Sequence, residues 1–370
     1  CTLACVHPPS LWSKMAGPQL DGLINPEVLV WAREQSCMDQ ATAASKVGQT
    51  PERLAEWESG QRVPTLNQLR SLAELYKRSV GVFFLRERPQ TRQRVVDYRR
   101  LDLSLQGAMS APLAHGLREA EAKRDAALDI LAQREETAPD WSLRLAADVP
   151  AELAAEVIEE YVGLPIAARK AWRTPYDALN GWRGSVERRG VMVIQLSGVP
   201  VEEMRGCSLA LFPLPVIVLN GADSPLGRVF TLLHELVHLA RSESGLCDFR
   251  DDALRAERAA QVEVYCNWVA GVILLPEREL LKIEEVRQAD MQSVWSADFL
   301  AGLSRRFWVS REAVLRRLLD IGKTSRGFYQ EFRQRLRTEY ANKQNGGVVS
   351  YSSPGGLGKG GGVKKKALRT

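Results

Sequence analysis

The sequence predicts an all-α amino-terminal domain followed by a larger α+β domain with a small sheet. Residues 23–88 fall into short apolar-periodic segments, separated by helix caps and glycines. Two later stretches, "VMVIQLSG" and "SLALFPLPVIVLNG", are β-branched, apolar and bounded by Gly, Pro and Asn, which marks them as strands. Helical periodicity surrounds both, as expected of helices packed around a small sheet. At 370 residues the chain has room for two or three domains of about 100–200 residues each. Its 45% hydrophobic and 26% charged residues are ordinary for a globular protein. No run approaches the roughly 18 apolar residues that cross a bilayer, and the start lacks a secretory pattern. Six cysteines without CxxC spacing suggest neither a disulfide framework nor a cysteine metal site. The expected compartment is reducing and cytoplasmic, with no membrane partner.

Residues 1–22 read as a non-native or disordered extension, Met15 being a sensible start. The amino-terminal domain is expected over residues 23–88, a helical connector over 89–140 and the α+β domain over 141–342. Residues 343–370 read as a disordered Gly/Lys-rich tail, which supplies much of the net charge of +5.

The first domain is punctuated clearly. "INPEVLVWAREQS" opens with Asn25 as cap and Pro26 at the first helical position. "DQATAASKVG" is a small-residue helix ending at Gly48, and "QTPERLAEWESG" takes Thr50 as cap and Pro51 as first residue. "TLNQLRSLAELYKRS" places Leu66, Leu69, Leu72, Ala73 and Tyr76 on one face, and "VGVFFL" closes the unit. Two short helices about a tight turn at Gly48, inside a five-helix bundle, describe a helix-turn-helix.

The connector turns Arg-rich in "RPQTRQRVVDYRRLD". It then forms a long amphipathic helix over residues 110–136, with Leu113, Leu117, Ala120, Leu128 and Leu131 spaced for one face. That helix is expected to hold domains apart, to pair two chains as a homodimer, or to pack on its neighbours. In the second domain, "PAELAAEVIEEYVG" and "PYDALNGWRGSVERRG" are helices before the strands. "DALRAERAAQVEVYCNWVAGVILLP" and "DFLAGLSRRFWVSREAVLRRLLDIG" follow as helical units.

The chemistry concentrates in "FTLLHELVHLA". The chain has four histidines, and His234 and His238 lie here. Ser224 can cap this helix and Pro225 start it, with Val229, Phe230, Leu233, Leu236 and Val237 as its buried stripe. On a helix, residues four apart project from one face, so both imidazoles can reach one tetrahedral ion. Glu235 lies beside them, placed to take a proton from water rather than to ligate. The alternative is a core helix with two hydrogen-bonded histidines. A third ligand is offered by Glu263 in "EVYCN", with Glu257, Cys247 and Asp248 as competitors. Asn267, one turn after Glu263, is expected to orient a histidine through its free ring nitrogen. Tyr265 should face elsewhere.

"GRVFTLLHELVHLA" followed by "EVYCNWVAGVILLP" resembles the ImmA/IrrE family of zinc metallopeptidases. Cys266 and Trp268 stand where that family usually has Ala and Phe. The likeness extends back through "WRGSVERRGVMVIQLSG" and forward through "LSRRFWVSREAVLRRLLDIG". It implies a zincin-like (gluzincin-type) α+β fold with a carboxy-terminal helical subdomain. His234, His238 and Glu263 would bind Zn2+, and Glu235 would activate water. The stretch "SLALFPLPVIVLN" would be the edge on which a peptide lies by β-augmentation. Such proteins typically cleave one partner, often a repressor, in response to a signal.

The amino-terminal domain resembles the XRE (Cro/C1-type) helix-turn-helix family in Gln40, Gly48, "WESG" and "PTLNQL". The resemblance implies binding to double-stranded operator DNA, with Thr50, Glu52 and Arg53 toward bases and Gln40 and Arg62 near phosphates. Residues 25–88 carry nine basic and eight acidic side chains, so this domain alone is nearly neutral. Dimerisation, or added contacts from residues 92–100, would have to supply affinity; otherwise the domain binds protein. The expected whole is a DNA-binding regulator with an endopeptidase domain that cleaves a repressor or a toxin–antitoxin partner. The rival is a non-proteolytic transcription factor or antitoxin whose zinc site is structural or sensory.

Overall fold

The computed structural model describes residues 22–89, 109–139, 141–241 and 252–345. The readings made above for residues 1–21, 92–100 and 346–370, for Cys247 and Asp248, and for the side chain of Glu257 lie outside the described residues.

Helices α1 (Pro26–Glu34), α2 (Gln40–Lys46), α3 (Pro51–Glu58) and α4 (Leu66–Tyr76) build the amino-terminal bundle, closed by a 3₁₀ turn at Val80–Phe84. Its helix starts follow the side-chain chemistry. Asn25, Asp39 and Thr50 each accept a backbone N–H of the turn they open, at 3.0, 2.7 and 3.3 Å. Thr65 and Gln68 form a reciprocal capping box. Gly48 turns the chain from α2 to α3 at φ +66°, a conformation that disfavours any residue with a Cβ. Leu29, Leu54, Trp57, Leu69, Leu72, Tyr76 and Phe83 share one core. The expected fifth helix is the 3₁₀ turn instead. "VGVFF" is too short to repay α-helix nucleation, and only Phe83 of it is buried.

Helix α5 (Ala111–Gln133) follows, then α6 (Ala151–Val162), α7 (Ile166–Arg169) and α8 (Pro175–Glu187). Strands β1 (Met192–Leu196), β2 (Gly206–Leu209) and β3 (Val216–Asn220) form a sheet of order β1-β3-β2. β1 runs parallel to β3, Ile194 opposite Val218, and β2 runs antiparallel to it, Cys207 opposite Val218. β3 is buried at every residue, as a central strand covered on both faces must be. The stretch read as one strand, "SLALFPLPVIVLNG", is therefore two strands and a turn. Pro213 and Pro215 have no N–H to give a ladder, so the segment breaks there and folds back. The edge is β2, and the apolar "VIVLN" lies inside.

The sheet separates two cores. Val193, Ile217 and Leu219 face α8 and α9 (Pro225–Arg241), whereas Ile194, Leu196, Val216 and Val218 face α5. Leu113, Leu117 and Ala120 of α5 are spent on that second face, while Leu128 and Leu131 are half-buried. Of the three roles open to this stripe, its first three turns take the last, packing on a neighbour, which is the sheet of the same chain. Arg118 of α5 donates to the carbonyl of Gln35, which ties the helix to the amino-terminal bundle as well. Arg124 is buried beneath the β2–β3 turn and donates to the carbonyls of Leu211, Pro213 and Leu214 at 2.9, 2.7 and 3.0 Å. It supplies donors that the two prolines cannot.

Helix α10 (Asp252–Leu274) packs on α6 and α9, followed by α11 (Glu277–Leu280), α12 (Glu284–Gln288), α13 (Ala297–Phe307), α14 (Arg311–Asp320) and α15 (Arg326–Asn345). The last helix was not anticipated. Its Phe328, Phe332 and Leu336 recur every four residues and turn toward the core, but six charged side chains in "RGFYQEFRQRLRTE" mask the period. No described helix is long and apolar enough to cross a membrane.

Arg124→Met should destabilise the protein by about 1–3 kcal/mol, the cost of leaving buried carbonyls without donors. A urea midpoint equal to that of the wild type would show that the turn does not depend on this guanidinium.

Candidate functional site

The site is built on α9, and the end of β3 sets where that helix begins. Asn220, fully buried, donates to the carbonyls of Val199 and Met204 at 3.0 and 2.7 Å and accepts the N–H of Ala222 at 2.9 Å. Ser224 then caps the helix by accepting the N–H of Gly227 at 3.0 Å. On the other side, Gly206 of β2 brings its backbone against the helix. A Cβ there would lie 2.4 Å from Thr231 Cγ2 and 2.9 Å from the Val218 carbonyl. The edge strand can approach α9 this closely only with glycine at that point.

Residues 231–240 of α9 are all buried, among them His234, Glu235 and His238. Burying two imidazoles within five residues is costly unless each finds a partner. Glu263 on α10 supplies it. Its two carboxylate oxygens lie 3.1 Å from His234 Nε2 and 3.1 Å from His238 Nε2, and the two Nε2 atoms are 3.1 Å apart. Burial pushes the Glu263 carboxyl up, but the hydrogen bonds from the two imidazoles prevail and hold it well below the usual carboxylate range. For His234, burial works against the charged ring, yet Glu263, Glu235 and Asn267 outweigh it and raise the imidazole above its ordinary value.

The donor set fits a divalent ion. One ligand atom from each of His234, His238 and Glu263 lies within 4.8 Å of the others. In a tetrahedron with bonds of about 2.05 Å, ligand atoms are roughly 3.3 Å apart. The observed 3.1 Å spacing is close to that. An Nε2 that donates to Glu263 cannot also accept from the other ring. With both imidazoles donating to that carboxylate, the 3.1 Å Nε2···Nε2 contact sets donor against donor, whereas a cation would bind both lone pairs. Glu235 stands next in α9, in the same buried stretch but outside this ligand triangle.

Not every expectation fits. Asn267 helps to raise the His234 imidazole, but Nδ1 of that ring is buried with no hydrogen-bond partner among the described residues. Asn267 therefore does not orient the imidazole through its outward nitrogen. The residue is one turn from Glu263 on the ligand side of α10, which is where that spacing must put it. Tyr265 points away, its hydroxyl donating to the Val149 carbonyl at 2.8 Å under the Arg241 guanidinium. Sequence reasoning missed Gly206 and Asn220, for which the signals were a glycine inside a strand and an asparagine ending an apolar run.

At the helix-turn-helix, Thr50 and Glu52 are exposed at the start of α3. The other three candidates are engaged within the bundle. Gln40 donates to Glu58 at 2.8 Å, and Arg33 pairs with the same carboxylate at 2.7 Å. Arg53 and Arg62 both reach Glu56, at 2.9 and 3.3 Å. The surface offers two cations sharing one anion.

Residues 186–319 match the family model of the IrrE N-terminal-like domain, a peptidase family. Residues 29–83 match a helix-turn-helix family model. The first match contains α9 and α10 whole, and the second runs from α1 to the 3₁₀ turn. No curated protein sequence matches the chain. Among solved structures, a Mycobacterium tuberculosis transcriptional regulator is similar at 22% identity over 45% of this chain, with a TM-score of 0.31. The similarity spans 45% of that protein's length.

Glu58 is almost wholly buried and takes bonds from two elements, so Glu58→Ala leaves the Arg33 charge unpaired. The substitution should cost about 3 kcal/mol, toward the low end for breaking a buried pair. Thermal unfolding of the amino-terminal bundle checks it, and an unshifted midpoint would contradict the inward role of this network.

Proposed function

The chain joins a helix-turn-helix domain to an IrrE-type, metallopeptidase-like domain, and on that premise we propose a DNA-binding transcriptional regulator that is also a zinc-dependent endopeptidase. Its substrate is a partner regulatory protein, a repressor or a toxin–antitoxin component, cut in response to a signal. The observation that carries this reading is the convergence of His234, His238 and Glu263 on one point beside Glu235.

In this reading His234, His238 and Glu263 hold Zn2+, which supplies a Lewis acid and lowers the pKa of nearby water toward neutrality. Glu235 accepts the proton of the attacking water and delivers it to the leaving amine. Burial of Glu235 keeps bulk water from competing for that proton. One edge of β2 is unpaired among the described residues. A peptide added there by β-augmentation would pass α9 at Thr231, one turn before His234.

Two assays separate this reading from a structural or sensory metal site. Zinc titrated into metal-free protein should bind at one equivalent and raise the melting temperature, and Glu263→Ala should lose most of that gain. Glu235→Gln should keep zinc but cut the regulator encoded beside this gene at least about a hundredfold more slowly, as for loss of a general base. Equal cleavage by Glu235→Gln would end the enzymatic hypothesis. For the DNA half, mobility shifts with the upstream DNA should weaken steeply as salt rises. Absence of any shift at low salt would end that half.

A further inference from the structure

The most unbalanced charge on the described fold lies at its carboxy-terminal end. Helices α13 to α15, residues 297–345, carry eleven basic and five acidic side chains, net +6, against net +1 for residues 25–88. Part of this excess lines an open groove of about 470 Å³ between α14 and α15, bordered by Arg316, Leu319, Arg326, Tyr329, Gln330 and Arg333.

The groove follows from the two faces of α15. Phe328, Phe332 and Leu336 turn inward, which leaves Arg326, Gln330 and Arg333, three or four apart, on an outer face, with half-buried Tyr329 at the boundary between core and groove. Arg316 presents the same character from α14. Among the described residues, no acidic one borders the groove. Arg316 and Arg333 are steadied by Asp320 at 3.0 Å and Glu312 at 2.9 Å, yet both guanidinium side chains stay about half exposed. Arg326 pairs with no carboxylate among the described residues. It is also the first residue of α15, where the helix dipole favours an anion. Planar guanidinium groups beside an aromatic ring and an amide suit phosphate oxygens, which accept bidentate bonds and make none of their own.

We propose that the groove between α14 and α15 grips the phosphate backbone of duplex DNA, as a second cationic contact beyond the helix-turn-helix. This rests on the DNA-binding reading above. The helix-turn-helix surface is poor in free charge, because Arg53 and Arg62 share Glu56, whereas affinity for DNA is set largely by phosphates neutralised. The carboxy-terminal unit supplies what is missing. The α15 side lies beyond the residues that match the peptidase family, which end at 319.

Fluorescence anisotropy of the full chain with a labelled duplex of its upstream DNA, measured over a salt series, tests this. Each phosphate contact contributes about 0.9 to the slope of log K against log salt. Arg326→Gln should lower the slope by about 1, and the triple change Arg316→Gln, Arg326→Gln, Arg333→Gln by about 2–3, with affinity reduced at least tenfold. Arg326 is exposed and its loss breaks no ion pair among the described residues, so that single variant reads the groove even if the triple variant unfolds. An unchanged slope in Arg326→Gln would overturn the groove, while a loss in Arg53→Ala would still uphold the helix-turn-helix. The reverse pattern would uphold the groove and remove the helix-turn-helix as the DNA contact. A wild-type chain that binds polyglutamate but no duplex, with that binding lost in Arg326→Gln, would make the surface protein-directed and overturn the proposal.

Discussion

Two imidazoles and a carboxylate meet within 3.1 Å of one another across α9 and α10, and the second half of the molecule is arranged around that meeting. A helix with ten consecutive buried residues cannot turn two histidines to one point unless another helix brings a partner for them to the same place. That requirement sets where α10 can lie against α9. It also sets where α9 may begin, because slipping the helix by one residue would carry both rings off Glu263. Asn220 and Ser224 hold that start from the end of β3, and Gly206 admits the edge strand. These are small contacts, each worth a kilocalorie or so in general, but they fix a register on which the charged cluster depends.

The sheet does two jobs in very little chain. Its central strand has no polar face to show, so it must be covered twice, by α9 on one side and α5 on the other. The edge strand is left beside the charged helix, with its turn propped from behind by Arg124. A buried guanidinium is an expensive prop. It is used where two prolines have removed the donors that a turn would otherwise supply for itself.

Much of this was legible because it is local. Caps at Asn25, Thr50 and Ser224 depend on a side chain and the N–H two or three residues on, and the i, i+4 placement of His234 and His238 is helix geometry alone. What failed was non-local. Periodicity said that α5 has an apolar stripe but not what covers it, and the answer lay some eighty to a hundred residues away in β1 and β3. Gln40 looked available at a helix start, but the carboxylate that takes it comes from the end of another helix. The split strand hid because both halves are equally apolar, and α15 hid because arginines filled the gaps in its stripe. That Glu263 would lie beside the two histidines was legible because ligand chemistry narrows the choice to a few residue types.

Family likeness in sequence and independence in folding need not share a boundary here. The peptidase-type match begins at residue 186, well after α5 has ended. Yet Ile194, Leu196, Val216 and Val218 are kept from water by Leu113, Leu117 and Ala120 of that helix. A fragment cut to the matched residues would carry a bare apolar sheet face next to a free strand edge, the combination that drives chains to stack on one another. Cover for the apolar sheet of the second half is therefore conferred from upstream, by a helix that also touches the amino-terminal bundle.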